Sequence, residues 1–227
     1  EDFTVPEGSN IFDIANLLGS SDTVAPTEFL KAAADPEDIR DLDALAPSLE
    51  GYLFPSTYRV THHTSARQLC HMMTLEFRKQ WAALGGATAS PDIHRTVTLA
   101  SLVEKETAVT GERPLVAGVF LNRLRINMPL QCDPTTVYAA LVENRYRGAI
   151  HKSDLASTNA YNTYAHPGLP PGPIANPGAA SLKAAMHPAD TGFLYFVAKG
   201  DGSGSHQFSS TIEEHERAVL AYRKIER

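Results

Sequence analysis

Two acids, Glu104 and Glu106, stand in the run Leu99-Ala100-Ser101-Leu102-Val103-Glu104-Lys105-Glu106-Thr107, and their spacing sets what chemistry the chain could do. At helical spacing Leu99, Leu102, Val103 and Glu106 fall at i, i+3, i+4 and i+7, so a carboxylate interrupts an apolar stripe. Glu104 lies on the far side of the same helix, among Val97, Ala100 and Ser101. A carboxylate on a buried stripe is costly unless it is paired, hydrogen-bonded or protonated. Desolvation raises its pKa, and a carboxyl that stays neutral near neutral pH is what a general acid needs. The other reading is a buried Glu held for structural reasons by an Arg or by backbone amides, and the helix alone leaves both open.

Other residues could join such an acid. Arg123 projects from the middle of an apolar face made by Leu115, Val116, Val119, Phe120 and Leu124, and must find a carboxylate, a carbonyl or a ligand. A structural ion pair is the expected role, with a partner other than Glu106, since a direct pair would lower the acid's pKa. Asn159-Ala160-Tyr161-Asn162-Thr163-Tyr164 runs into the stiff loop Gly168-Leu169-Pro170-Pro171-Gly172-Pro173. This stretch suits either a polar, aromatic groove wall of the kind that holds sugars or an irregular surface loop. Glu112 and Asp133 are the nearby candidates for a second carboxylate. Nine histidines form no H-x-x-x-H and no His/Cys cluster, so no metal site is expected. Cys70 and Cys132 are expected to be free and buried, although a bridge between them is left open. No P-loop, G-x-G-x-x-G or G-x-S-x-G is present.

The elements that must hold these residues follow from patterning. Phe3-Thr4-Val5 reads as a strand, and Ser9 or Asn10 caps a helix to Leu18. This strand, turn and helix resemble the first half of a LysM glycan-binding repeat. A helix over 28–34 capped by Thr27 precedes an acidic connector over 35–47, and a soft boundary falls near residue 48. The expected division is an N-terminal segment, 1–48, and a larger domain, 49–227. Within the latter, 57–60 has strand character and 65–81 forms an amphipathic helix with Ala66, Leu69, Met73 and Phe77 inward. Ser90-Pro91-Asp92 opens the Glu106 helix with a cap and a Pro at its first position. A helix follows over 113–125, and Asp133-Pro134 opens a shorter one. Asn176-Pro177 caps another helix through Met186. A hairpin over 193–209 and a last helix over 213–225 close the chain. The fold class is α+β: mixed helices, short strands, a C-terminal β-hairpin and a helix-borne acid in a cleft.

The 227 residues, 43% hydrophobic and 20% charged, allow a real core. A net charge of -6 argues against nucleic acid as partner but leaves a neutral polymer open. No apolar run reaches the ~20 residues of a membrane span, and no signal peptide opens the chain.

With these residues in view, a family resemblance emerges. The run 100–107, Val119-Phe120-Leu121-Asn122-Arg123-Leu124, Leu130-Gln131-x-Asp133-Pro134-Thr135 and Ala160-Tyr161-Asn162-Thr163-Tyr164 resemble, in order, motifs of the YceG-like endolytic murein transglycosylases. Leu49-Glu50-Gly51-Tyr52-Leu53-Phe54-Pro55, Gly168-Leu169-Pro170-Pro171-Gly172, Asn176-Pro177-Gly178 and Phe193-Leu194-Tyr195-Phe196-Val197 match as well. The resemblance implies an enzyme of the bacterial cell envelope that cuts peptidoglycan glycan strands internally and leaves a 1,6-anhydro-N-acetylmuramoyl end. It implies Glu106 as the catalytic residue, no cofactor, and cell-wall synthases as possible partners. It also implies a single membrane helix and a LysM-like region ahead of the catalytic domain, so this chain, which starts at Glu1, is expected to be a soluble truncation. Tyr161, Asn162 and Tyr164 are expected to form one wall of the substrate cleft, with Gln131 and Asp133 opposite. Asn162→Ala is expected to weaken cleavage with little loss of stability. The alternatives are a muramidase-type hydrolase with a second carboxylate and a non-catalytic glycan-binding module.

Overall fold

The computed structural model describes the chain except residues 21, 22, 91, 226 and 227. It opens with β1 (Asp2–Thr4), α1 (Ile11–Leu18) and α2 (Pro26–Ala33), then a 3-10 turn over Pro36–Ile39. Strand β2 (Thr57–Arg59) returns antiparallel to β1 with Tyr58 opposite Phe3. Helices α3 (Ala66–Ala83), α4 (Gly86–Ala89) and α5 (Ile93–Glu106) follow, and a 3-10 turn over Thr110–Glu112 leads into α6 (Arg113–Arg125). Then come α7 (Asp133–Val142), α8 (Lys152–Leu155) and α9 (Ala179–Met186). The chain ends in the antiparallel hairpin β3 (Tyr195–Ala198) and β4 (His206–Ser209), with α10 (Ile212–Ile225) against it. This is the α+β class expected. One hydrophobic core contains residues from both sides of position 48, from Phe3, Ile14 and Phe29 to Val97, Phe120 and Leu182.

Local chemistry explains most element ends. Asn10 accepts from the N–H groups of Phe12 and Asp13 while Asp13 accepts from the Asn10 N–H, a reciprocal cap that starts α1. Ser65 and Gln68 do the same for α3, whose Leu69, Met73, Phe77 and Trp81 turn inward. Three expected caps away from the cleft are corrected. Pro26 occupies the first turn of α2, so Thr27 lies inside the helix rather than capping it. Helix α5 starts at Ile93 with Asp92 as its cap, accepting from the Arg95 N–H at 3.0 Å; Ser90 precedes it, and Pro91 lies outside the described residues.

The third correction concerns Asn176. Gly178, not Asn176, caps α9. The Asn176 side chain is instead fully buried. Its Oδ1 accepts from Gly51 N (2.8 Å) and Leu53 N (3.0 Å), and its Nδ2 donates to Ser9 O and Glu50 Oε1, both at 2.9 Å. Every donor and acceptor of the amide that these segments can reach is met, as burial demands.

Helix α5 is the centre of the molecule. Residues 96–103 are all buried, and the helix packs against α9, α6 and α7. The apolar stripe read from sequence is therefore one side of a helix whose middle is buried all round, small polar residues such as Thr98 and Ser101 included. Both Val97 and Ala100, assigned to the far side, are as inaccessible as Leu102. Gly118 lets α6 approach the segment after α9: a Cβ there would sit 2.5 Å from Ala189 O, and the Ala189 N–H donates to Pro114 O at 2.9 Å.

Candidate active site

Since α5 is buried on every side, burial alone cannot separate its two acids; their partners do. The Glu104 side chain bonds Arg113 Nη2 through Oε1 (3.0 Å) and the Gly178 N–H through Oε2 (2.9 Å). It is a structural carboxylate joining α5, α6 and the start of α9. Glu106, the last residue of α5, has no ion pair among the described residues and is half-buried at the edge of a cleft of about 280 Å³.

Burial pushes the Glu106 carboxyl above the ordinary glutamate range. The Cys132 thiol counters this, the Asp133 charge adds to it, and His206 and Arg123 counter it more weakly. A larger hollow, about 490 Å³ between α2 and α3, contains Leu49 and Cys70 but no part of this cluster.

Three of the five expected substrate residues share the cleft with Glu106: Gln131, Asp133 and Tyr164. They do not face one another across it. The Tyr164 hydroxyl donates to Asp133 Oδ1 at 2.5 Å, so the two belong to one wall. Thr163 fixes that wall from behind: its Oγ1 accepts from the Cys132 N–H (3.0 Å) and bonds the Thr135 hydroxyl (2.9 Å). Gln131, whose φ is 49°, donates its N–H to Thr163 O. Asp133 is the first residue of α7 rather than its cap, which leaves its carboxylate free for Tyr164.

Tyr161 and Asn162 lie elsewhere. Asn162 is fully buried; its Nδ2 donates to the carbonyls of Leu155 (3.0 Å) and Ser157 (2.7 Å), and its Oδ1 accepts from the Tyr164 N–H (3.0 Å). It shapes the loop that presents Tyr164 and offers nothing to the cleft. The Tyr161 ring packs on Tyr138, centroids 4.9 Å apart, and burial pushes its hydroxyl up to about 12. Both were expected to touch substrate; neither lines the cleft with Glu106, since the Asn162 amide is used within its own loop and the Tyr161 ring packs on α7.

The rest of the lining comes from α6 (Phe120, Arg123), from Leu130, and from the C-terminal unit (Phe196, His215). Arg123 finds carbonyls rather than the expected carboxylate: Nε donates to Leu194 O (2.6 Å) and Nη1 to Leu130 O (2.7 Å), with the Tyr195 ring 5.4 Å away. Phe196 falls in a stretch that matches a family motif, but neither it nor His215 was read as a cleft residue, since the hairpin reaches the cleft only by folding back on α6. Glu112 is held by His206 through the imidazole Nδ1 (2.8 Å) and the backbone N–H (2.9 Å), which ties β4 to the turn before α6. Both cysteines are free and buried. Among the described residues no three His, Cys, Asp or Glu side chains group as metal ligands, and no helix is long and apolar enough to cross a membrane.

The arrangement has relatives. The chain is 34% identical to an endolytic murein transglycosylase of Bacillus subtilis (strain 168), over 96% of this chain and 64% of that protein. It is 31% identical to one of Streptococcus pneumoniae serotype 2 (strain D39), over 96% of this chain and 44% of that protein. The chain thus spans less than two thirds of the length of these curated relatives. A crystal structure of a yceG-like protein from Listeria monocytogenes superposes with a TM-score of 0.81 at 32% identity, covering 95% of this chain and 75% of that one. The model of the YceG-like family matches residues 1–221, and with the shared fold this establishes that the chain belongs to the YceG-like family.

Proposed function

We propose that the chain is the catalytic part of an endolytic lytic transglycosylase that cuts peptidoglycan glycan strands between N-acetylmuramic acid and N-acetylglucosamine. The observation that carries this reading is Glu106: a carboxyl raised by burial, without an ion-pair partner among the described residues, at the edge of a polar cleft. The names of the relatives support the substrate class.

In this mechanism Glu106 donates its proton to the glycosidic oxygen as the bond to the anomeric carbon breaks. The substrate's own N-acetyl carbonyl meets the charge that develops there. The Glu106 carboxylate then takes the proton of the C6 hydroxyl as that oxygen closes on the anomeric carbon, forming the 1,6-anhydro ring. The acid is regenerated and no water enters. A two-carboxylate hydrolase would need a second, uncommitted acid ~5–9.5 Å away. Glu112 is engaged by His206 and Asp133 by Tyr164, which favours the single-acid route. Action at the cell envelope, a membrane anchor and cell-wall synthases as partners belong to the same proposal.

Digestion of purified peptidoglycan followed by mass analysis tests it. Anhydromuramoyl ends, lighter by one water than hydrolysed ends, are expected from the parent chain and are lost in folded Glu106→Gln. Hydrolysed ends would instead identify a muramidase. Cleavage retained by folded Glu106→Gln would remove the acid assignment.

A further inference from the structure

Arg123 is a buried cation, 9% exposed, that lines the cleft without a carboxylate partner among the described residues. Two of its nitrogens are fixed on the carbonyls of Leu194 and Leu130, while Nη2 donates to no described group. Carbonyls orient a guanidinium but leave its charge uncompensated. His215, from α10, lines the same cleft, its ring stacked on Tyr195 at 5.0 Å and 19°. Its Nδ1 is buried and has no partner among the described residues. The same Tyr195 ring lies 5.4 Å from the guanidinium carbon, so one aromatic side chain locates two unsatisfied polar groups. A buried polar atom left open, as His215 Nδ1 is, has a standing demand for a ligand, and the open face of the guanidinium lies in the same cleft.

We infer that Arg123 and His215 form a subsite for the 3-O-lactoyl group of the muramoyl residue, and so determine which sugar sits beside Glu106. This inference rests on the proposed substrate. The two sugars of the strand differ at that position: N-acetylglucosamine carries a bare hydroxyl and muramic acid a lactoyl ether. The lactoyl end always presents a carbonyl oxygen, which suits Arg123. Beside it lies either a carboxylate oxygen or, where a stem peptide is attached, an amide N–H. A neutral imidazole nitrogen can donate to the first or accept from the second, according to tautomer.

Binding measured by calorimetry in the inactive Glu106→Gln chain tests this apart from catalysis. Three ligands of equal length are compared: peptide-stripped glycan with free lactoyl carboxylates, glycan with peptide stems, and a chitooligosaccharide. Muramoyl glycans are expected to bind about tenfold more tightly than chitooligosaccharide. Adding His215→Ala should remove most of that preference and leave chitooligosaccharide affinity unchanged; α10 has no fully buried residue, so this variant folds. Arg123→Lys, which keeps the charge but loses the fork, should do the same. Preference for the stripped glycan alone supports a carboxylate subsite, and preference for both supports recognition of the shared carbonyl. A preference that survives both substitutions overturns the inference, and so does equal or absent binding of the muramoyl ligands in the Glu106→Gln parent. The product ends of the active chain report separately on the proposed reaction.

Discussion

Glu104 and Arg113 meet at 3.0 Å with their side chains only 5% and 8% exposed. This pair closes the junction of α5 with α6, and the Gly178 N–H on the second Glu104 oxygen brings in α9. The acid two residues before Glu106 thus holds the frame in which Glu106 stands. Glu104→Gln would leave the buried Arg113 only the more distant and half-exposed Glu7 carboxylate, 4.0 Å away, as countercharge, and a loss of about 3 kcal/mol is expected in urea melts. Cleavage per folded molecule should remain near that of the parent. A Glu104→Gln chain that is fully stable yet inactive would show that the two acids have been assigned the wrong way round.

Glu106 should weigh on stability in the opposite sense. Its carboxyl is raised by burial, so the folded chain holds a proton that the unfolded chain has already lost. Stability from this group is complete below the ordinary glutamate pKa and declines as pH rises through the raised value. Glu106→Gln should therefore be more stable than the parent at neutral pH, and the difference should vanish in acid. Thermal melts of both chains across this range measure it; a Gln variant that is less stable at neutral pH contradicts it.

A second buried acid shares that sign. Burial pushes Glu50 up to about 8, against the pull of three donors: Ile11 N–H, the Tyr138 hydroxyl and Asn176 Nδ2. A protonated Glu50 can be met by Tyr138 turning its hydroxyl from donor to acceptor. Between the unfolded glutamate value and about 8, stability should fall with rising pH by at most about 1.4 kcal/mol per unit. In Glu50→Gln this share of the slope should disappear. An unchanged slope would place the titration on another group.

Asn162→Ala is expected to be a stability mutant. Removing its amide strands the carbonyls of Leu155 and Ser157 and the N–H of Tyr164, and a loss of about 3 kcal/mol is expected. Denaturant midpoints measure the loss. A variant with parental stability and weakened cleavage would restore the direct substrate role read from the sequence.

Tyr164→Phe should behave in the reverse way. It leaves Asp133 in the cleft without the hydroxyl that orients it, 2.5 Å away, while the ring keeps its packing. Cleavage is expected to fall roughly 10- to 100-fold, the equivalent of one hydrogen bond to a charge, with only a small change in melting temperature. Parental kcat/KM in this variant would remove the Asp133–Tyr164 pair from the working site.

The sequence showed what depends on neighbours along the chain. The cap at Asn10, the span of α6 and the closing hairpin and helix all rest on local chemistry and periodicity. Glu106 was legible too, although the apolar stripe was a weaker reason than it looked, because α5 is buried on its Glu104 side as well. What separates the two acids is the arrival of Arg113 and Gly178, which periodicity does not encode. The same limit explains Tyr161 and Asn162. Their residue types suit sugar binding, but the buried turn uses the Asn162 amide to satisfy its own carbonyls, and the Tyr161 ring packs on Tyr138. His215 was illegible for the opposite reason: it stands on a largely exposed helix and becomes a cleft residue only through the stack on Tyr195.

The Asn176 amide has a consequence for modularity. Through it the first ten residues, the Glu50–Leu53 turn and the approach to α9 share one buried junction, although they come from opposite ends of the chain. A fragment beginning at residue 49 would lose the Ser9 carbonyl, the Ile11 N–H that Glu50 accepts and the partner strand of β2 in a single cut. Proteolytic nicking of the 35–47 connector should therefore leave two pieces that elute together, and moving the part of the chain after residue 48 into another protein requires carrying Asp2–Leu18 along with it.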